Sequence, residues 1–233
     1  MIMQRLFGTV CGLSLGFSGA AWADSAPAVV VELYTSQGCS ACPPADELLA
    51  ELADDPHVLA LALHVDYWDY IGWTDHFGQA AFTARQKAYA RAAGSRMLYT
   101  PQFIIDGSER VEGNQPARVQ ALIAQQLGTA EPNLTLTREG EKVHVQAAAA
   151  SLSQPVQVQV VRFRPEMTVE IERGENAGKS IAYRNIVTDW QIIGDWDGRT
   201  PLDLQATAGG QDRTVVILQA PGPGPVVAAE RLN

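Results

Sequence analysis

Cysteine, histidine and basic residues are scarce in this chain of 233 residues. It has three cysteines and four histidines, and its 26 acidic residues outnumber its 17 basic ones. Neither a second cysteine pair nor a His-x-x-His spacing accompanies Cys39 and Cys42, which disfavours a closed four-ligand zinc site. The shortage of lysine and arginine argues against nucleic-acid binding, which needs basic patches to neutralise phosphates.

Beyond its N-terminal segment, the chain lacks any apolar run of the roughly 18 residues that a membrane helix needs. Within that segment, Arg5 precedes a mostly apolar stretch at 6–19, and Ala21-Trp22-Ala23 has the A-x-A form of a cleavage site. We therefore expect residues 1–23 to be a signal peptide and the mature chain to be periplasmic or secreted, without stable membrane insertion. The alternative is an uncleaved amphipathic anchor.

Cleavage of this leader would remove Cys11 and leave Cys39 and Cys42 as the mature chain's cysteine pair. Disulfides persist in oxidising compartments such as the bacterial periplasm. The expected location is therefore compatible with a pair that forms and exchanges disulfides.

The Cys39-x-x-Cys42 pair lies between a predicted strand and a predicted helix. The apolar run at 29–34 predicts a buried strand, residues 35–38 a turn, and residues 45–53 an amphipathic helix. Strand, Cys-x-x-Cys and helix in this order are typical of the opening of a thioredoxin-like unit.

A helix N-terminus suits thiol chemistry because the attacking species is a thiolate, whereas a free thiol has a pKa near 8.5. The positive end of the helix dipole favours the ionised form of a sulfur placed there. We expect Cys39 to be the nucleophile and Cys42 the resolving thiol. Pro43 fits the first helical turn, while the nearby charges of Asp46 and Glu47 would oppose thiolate formation.

Three other roles for the pair stay open. A structural disulfide would close a very short loop, and the stabilisation by a disulfide grows with loop length. Copper or another metal could be bound or delivered by Cys39 and Cys42, with His64 as a third ligand, since thiolates favour soft metals. His64 is more simply a strand-end histidine with a satisfied hydrogen bond. The third alternative is a redox-inactive scaffold that binds a partner.

Pro101 begins a second motif, Thr100-Pro101-Gln102, ahead of a short apolar strand. Proline is tolerated at the first residue of a strand, and a cis Thr100–Pro101 bond would turn the flanking backbone toward a neighbouring loop. We expect Pro101 to lie opposite the cysteine pair and to offer backbone to an extended substrate. The alternative is an ordinary turn proline.

The hydrophobic pattern changes midway along the chain. The first part predicts the order βαβαββα, and the punctuation at 128–132 marks a boundary. The second part alternates apolar and polar residues, which indicates antiparallel strands. We predict an α/β thioredoxin-like domain at 24–130 and a mainly antiparallel β, sandwich-like domain at 131–233. Within the first, the later predicted elements are strands at 58–65, 103–105 and 110–112 and helices at 75–93 and 116–127.

Two loops carry further hypotheses. Residues 173–179 have the composition of a polar turn, lack the phosphate-binding pattern G-x-x-x-x-G-K-[ST], and are hypothesised to fold over the Cys39 face. The second is the aromatic and acidic loop at 67–75, whose rings we expect to pack beneath the loop. The alternative is that these rings form a wall beside the thiol that accepts a ligand.

Four segments carry a family resemblance, at 32–46, 64–69, 99–102 and 173–178. Together they resemble a secreted bacterial thioredoxin-like family of uncharacterised function, within the thioredoxin superfamily. The resemblance covers nearly the whole mature chain and implies a thiol-disulfide oxidoreductase that needs no cofactor. It assigns the chemistry to Cys39, Cys42 and Pro101, with protein or small-molecule thiols and disulfides as partners. Thioredoxin carries a buried acid six positions before the first cysteine, where this chain has Leu33, and strand alternation turns Glu32 to the other face.

Overall fold

An eight-stranded, mostly antiparallel sheet forms the centre of this mixed α/β fold. The computed structural model describes residues 28–128 and 132–232, so the predicted signal peptide at 1–23 lies outside the described residues. The strands are β1 (Val29–Thr35), β2 (Val58–His64), β3 (Gln102–Ile105), β4 (Glu109–Glu112), β5 (Thr135–Glu139), β6 (Lys142–Ala147), β7 (Val156–Glu170), β8 (Ser180–Trp196), β9 (Leu202–Thr207), β10 (Arg213–Gln219) and β11 (Val226–Arg231).

The helices of the described residues are α1 (Pro43–Leu52), α2 (Ala80–Ala92) and α3 (Pro116–Gln126), with a short 3-10 helix at Asp69–Ile71. None of them is long and apolar enough to cross a membrane. The predicted start of α2 at residue 75 was wrong. The Asp75 carboxylate accepts a hydrogen bond from the Phe77 N–H, and the Asp75 carbonyl accepts one from the Gly78 N–H. This closed turn delays the helix.

The main sheet has the strand order β11-β10-β7-β8-β2-β1-β3-β4. β1 is parallel to β2 and antiparallel to β3, and the order βαβαββα predicted for the first part of the chain is present. β8 joins β2 through a parallel pairing of Ala62 with Ile186, so strands from both predicted domains share one sheet. The predicted boundary at residue 130 lies outside the described residues and stays a prediction.

A long antiparallel hairpin of β7 and β8 was not predicted as such. In β7 only some stretches alternate between buried and exposed residues, and in β8 the two classes follow no regular order. Register shifts at Val158/Gln159 and at Arg162/Phe163 explain this pattern, because each bulge changes the face to which the following side chains point.

Apolar side chains cover both faces of the sheet. On one face, Leu33 and Phe103 pack with residues of α1 and α3, and on the other Tyr34 and Leu63 pack with α2. A second sheet has three strands, β5, β6 and β9, and its apolar residues form one cluster with those of β7 and β10. Val145 and Val158 both belong to this cluster. The later part of the chain therefore has two packed β layers.

Candidate functional site

Cys39 and Cys42 form a disulfide at the N-terminal end of α1. Their Cα atoms are 5.4 Å apart, and Cys42 immediately precedes Pro43, the first helical residue. The backbone N–H groups of Ala45 and Asp46 donate to the Cys42 carbonyl oxygen, which ties the disulfide to the first helical turn. Both cysteines are buried, whereas the two residues between them are exposed.

Trp68 brings the cysteine loop and the Pro101 segment to the same place. Its indole N–H donates to the Thr100 hydroxyl at 2.7 Å, and the Thr100–Pro101 bond is cis. A Cβ atom added to Gly38, the residue before Cys39, would lie 3.2 Å from the Trp68 Cβ. The ends of β1 and β3 also meet here, because Tyr34 pairs with Gln102 in the sheet.

Gly113 gives a second link between Pro101 and α1. A Cβ atom at this position would clash with the Pro101 ring and would lie 3.1 Å from the Ala45 Cβ. Gly113 therefore lies between Pro101 and the first turn of the helix that the disulfide precedes.

Asn176 connects the loop between β7 and β8 to the cysteine loop. Its side-chain Nδ2 donates to the carbonyl oxygens of Gln37 and Cys39, each at 2.9 Å, and the residue is buried. The Lys179 ammonium donates to the Asn176 Oδ1 at 2.8 Å. The loop at 173–179 therefore lies over the cysteine loop, as hypothesised. In the sequence, Asn176 has only the signature of a turn residue.

Asp75 is a site residue that sequence reasoning missed. Its Oδ2 accepts hydrogen bonds from the Gln37 N–H at 2.7 Å and from the His64 Nδ1 at 2.8 Å. Burial acts to raise the pKa of Asp75, but His64 and the N–H groups of Gln37 and Phe77 outweigh burial and lower that pKa below 3.8. An aspartate in an aromatic loop carries no sequence signal for such a role.

Asp46 is buried beneath the start of α1 rather than exposed in its first turn. Its Oδ1 accepts a hydrogen bond from the Thr35 hydroxyl at 2.7 Å. Burial raises the pKa of Asp46 to about 7, against the opposing effects of His64 and of this hydrogen bond. A carboxyl group that titrates near neutral pH thus lies one helical turn after Cys42.

Glu32 faces the opposite side of the sheet, as strand alternation predicts. Its carboxylate accepts two hydrogen bonds from Arg85, at 2.7 and 2.8 Å, and others from the Tyr34 and Tyr89 hydroxyls. Arg85 also stacks 3.8 Å from the centre of the Trp190 ring. Glu32 is thus part of a buried ion-pair network on the α2 side.

The alternative metal set of Cys39, Cys42 and His64 is not assembled. The sulfurs are joined to each other, and one ring nitrogen of His64 is held by Asp75. In the two described ranges, no group of three or more histidine, cysteine, aspartate or glutamate side chains is placed to hold a metal ion.

Some aromatic rings of the loop at 67–75 pack against the core, and one is exposed to solvent. Tyr67 and Trp68 pack against the core, whereas Tyr70 is 81% exposed and stacks on Trp68 with ring centres 6.5 Å apart. Packing accounts for the first two rings, and the third forms an aromatic surface beside the cysteine loop.

Comparison with known proteins supplies the family. A model described as a protein of unknown function, DUF1223, matches residues 30–219. The chain belongs to the DUF1223 family. This DUF1223 chain is 35% identical to a structural-genomics target from Agrobacterium tumefaciens, with a TM-score of 0.74 over 90% of this chain and 96% of that one. It also matches HBP35 of Porphyromonas gingivalis, at 15% identity and a TM-score of 0.60, over 89% of this chain and 75% of that one. No curated protein matches it.

The DUF1223 match confirms that the family is one of unknown function. The secreted and thioredoxin-like character expected for that family stays a prediction. The likeness to HBP35 concerns the fold alone. The Cys39–Cys42 disulfide is compatible with redox or thiol chemistry.

Proposed function

We propose that this DUF1223 protein is an exported thiol-disulfide oxidoreductase whose Cys39 and Cys42 alternate between disulfide and dithiol. The observation that carries this proposal is the disulfide at the N-terminal end of α1, beside the Thr100–Pro101 segment. A helix N-terminus stabilises a thiolate, which is the form that a cysteine takes when a disulfide opens.

The proposal includes a thioredoxin-like unit formed by the elements from β1 to α3. Supporting it are the order βαβαββα, the position of β1 between a parallel β2 and an antiparallel β3, and the cysteine pair ahead of α1. The export of the protein is proposed from the sequence of residues 1–23 alone.

In the proposed exchange, a substrate thiolate attacks the Cys39 sulfur, the Cys39–Cys42 bond breaks, and Cys42 leaves as a thiolate. A second thiolate of the same substrate then attacks the substrate sulfur of the mixed disulfide. This step releases Cys39 as a thiolate and leaves the substrate dithiol oxidised to a disulfide. The reverse sequence reduces a substrate disulfide, with Cys42 as the resolving thiol. Pro101 and its neighbours would position the partner chain.

Redox equilibration tests the proposal. The mature protein is equilibrated with glutathione buffers of graded potential, and alkylation followed by mass spectrometry gives the dithiol fraction. We expect a reversible two-electron transition in the wild type and accumulation of a mixed disulfide on Cys39 in Cys42→Ser. Ser40→Ala, which changes an exposed residue between the cysteines, is the matched control. A pair that never equilibrates would overturn the proposal.

The same samples separate the alternatives. Tight stoichiometric binding of copper or zinc to the dithiol form would instead support metal delivery. Partner binding retained by the Cys39→Ser/Cys42→Ser double variant, with no exchange in the wild type, would support the scaffold.

A further inference from the structure

A cavity of about 290 Å³ lies on the α2 side of the main sheet. Its walls come from α2, from the hairpin of β7 and β8 and from the turn between β10 and β11. The helix that the disulfide precedes, α1, packs on the opposite face of the sheet. Sites for small molecules in proteins typically measure about 300–1,000 Å³, so the cavity has the size of a small one.

Apolar side chains form most of the cavity wall. Phe82 and Ala88 contribute from α2, and Ile192 contributes from β8, where it is 57% exposed. β7 adds the amides of Gln157 and Gln159, because strand alternation turns both to the α2 side and the valine between them to the three-stranded sheet. An apolar wall with a few polar groups is the usual lining of a small-molecule site.

Four side chains at the cavity form a closed circuit of contacts. The Trp190 indole N–H donates to the Gln159 Oε1 at 2.6 Å, and the Gln159 Nε2 donates to the Gln219 Oε1 at 3.3 Å. The Arg85 Nη2 donates to the same Gln219 oxygen at 2.9 Å, and the guanidinium lies 3.8 Å from the centre of the Trp190 ring. Both glutamines are buried. Arg85 and Trp190 are therefore held in place before any ligand arrives, which lowers the entropy cost of binding.

Arg85 brings hydrogen-bond donors to the cavity without an unbalanced charge. Its Nε and Nη2 donate to the fully buried Glu32 carboxylate at 2.8 and 2.7 Å. All side-chain hydrogen bonds from Arg85 to the described residues leave from these two nitrogens, so Nη1 keeps its N–H donors. Nη1 is open to solvent rather than enclosed, and the Arg85 side chain is 15% exposed.

Asp189 is the second charged residue in the cavity wall. Strand alternation along β8 turns its side chain away from the neighbouring Trp190, and the Gln191 Nε2 donates to its Oδ2 at 2.6 Å. The interior therefore offers no carboxylate to an ammonium group. A ligand carboxylate is disfavoured as well, because it would add a second anion beside a guanidinium that Glu32 already neutralises.

An uncharged carbonyl oxygen matches the remaining polar groups. It accepts from the Arg85 Nη1, whereas an ammonium group only donates, as Nη1 itself does. Gln157 offers a second contact, since its amide can donate and accept and makes no side-chain hydrogen bond within the two described ranges.

We propose that this cavity binds a small, uncharged ligand with an apolar body and a carboxamide or similar carbonyl group. The carbonyl oxygen accepts from the Arg85 Nη1, the amide N–H donates to Gln157, and the body packs against Phe82 and Ile192. The site does not depend on the exchange reaction proposed above, because the cavity and α1 lie on opposite faces of the sheet. Failure of one proposal leaves the other standing.

The test uses three probes that share a phenylpropyl body and differ in charge: hydrocinnamamide, hydrocinnamate and phenylpropylammonium. Each is titrated into the mature protein to millimolar concentration, and the NMR signal of the Trp190 indole N–H reports binding. We expect the amide to have a dissociation constant about tenfold lower than that of either charged probe. A charged probe that binds as tightly as the amide, or an amide that leaves the Trp190 signal unmoved, would overturn the proposal.

A matched pair of α2 variants locates the binding. Ala88→Leu places a larger side chain in the cavity and should weaken binding of the amide about tenfold, whereas Ala84→Leu makes the same change at an exposed position outside the cavity wall and should bind like wild type. Gln157→Ala should weaken binding about fivefold, the equivalent of one hydrogen bond. Equal affinity in the two leucine variants would overturn the assignment of the ligand to this cavity.

A second measurement needs no variant. In the wild type with bound hydrocinnamamide, nuclear Overhauser effects should connect the phenyl protons of the probe with the methyl groups of Ile192 and Ala88. Effects that involve only methyl groups elsewhere on the protein would refute the proposed site.

Discussion

The Asn176 side chain donates a hydrogen bond to the Cys39 carbonyl oxygen at 2.9 Å, across 137 positions of the chain. The same nitrogen donates to the Gln37 carbonyl oxygen. Cys39 is only 2% exposed, and the loop around Asn176 holds its backbone. We therefore expect the hairpin of β7 and β8 to limit access to the disulfide.

Replacing Asn176 with alanine should expose the disulfide and weaken the fold. The Gln37 carbonyl oxygen loses the Asn176 donor, whereas the Cys39 carbonyl oxygen keeps the Cys42 N–H as a donor. An unsatisfied buried group costs about 1–3 kcal/mol of unfolding free energy. We expect lower stability in urea and faster reduction by dithiothreitol.

The control is Asn185→Ala, which removes an amide donor to the Ala60 carbonyl oxygen on β2. It should also lower stability but leave the reduction rate unchanged. Equal rates in Asn176→Ala and wild type would show that the loop does not shield Cys39.

Deleting residues 174–178 tests whether this loop selects substrates. Without it, we expect turnover of large protein disulfides to rise relative to turnover of small disulfides, because the obstruction over Cys39 is gone. Turnover is measured on glutathione disulfide and on insulin. An unchanged ratio of the two turnover rates would refute the hypothesis that the loop selects substrates.

Arg85→Met should strongly destabilise the protein because it leaves the Glu32 carboxylate buried without its cation. Glu32 is fully buried, and breaking a buried pair by removing one partner costs about 3–5 kcal/mol. Arg184→Met removes an exposed pair with Asp54, whose side chain is 72% exposed, and should cost at most about 1 kcal/mol. Urea unfolding of both variants measures the difference, and similar losses would contradict this reading of the buried network.

The buried carboxyl group of Asp46 should make stability depend on pH. Its pKa rises from 3.8 to about 7 on folding, so between these values the folded protein holds a proton that the unfolded chain releases. The contribution is complete below about pH 4 and is lost as the pH rises through about 7, so the unfolding free energy falls over this window. Urea unfolding at several pH values should show a shallower decline for Asp46→Asn than for wild type or for Glu51→Gln, which changes an exposed carboxyl group of α1. Parallel declines in all three proteins would exclude Asp46 as the source.

Gly113→Ala should disturb the packing of Pro101 and of α1 around this glycine. The new Cβ would clash with the Pro101 ring and press on Ala45 in the first helical turn, and overpacking of this kind costs about 1–3 kcal/mol. Thermal unfolding compares it with Asn114→Ala at the exposed neighbouring position. A Gly113→Ala protein as stable as this control would show that Pro101 and Ala45 can shift to accommodate the methyl group at little cost in free energy.

Local patterns predicted most of the first part of the fold. The apolar run of β1, the prolines that open α1 and the strand after Pro101 appear near their predicted places, since each depends on neighbouring residues. The start of α2 was missed because the Asp75 turn depends on contacts with Gln37 and His64. β8 was missed because its partner strand, and not its own alternation, sets its register.

By itself, the sequence determined the cysteine pair, its place before a helix, the proline at the start of β3 and the opposite orientation of Glu32. These features follow from short-range periodicity and helix-end chemistry, which act over a few residues. Only the tertiary structure decided that the Asn176 side chain donates to the Cys39 carbonyl oxygen and that a buried hydrogen bond joins Thr35 to Asp46. Those relationships depend on strand register and helix packing between distant segments. Burial in that packed space then shifts the pKa of Asp46, a property that the residue type alone does not carry.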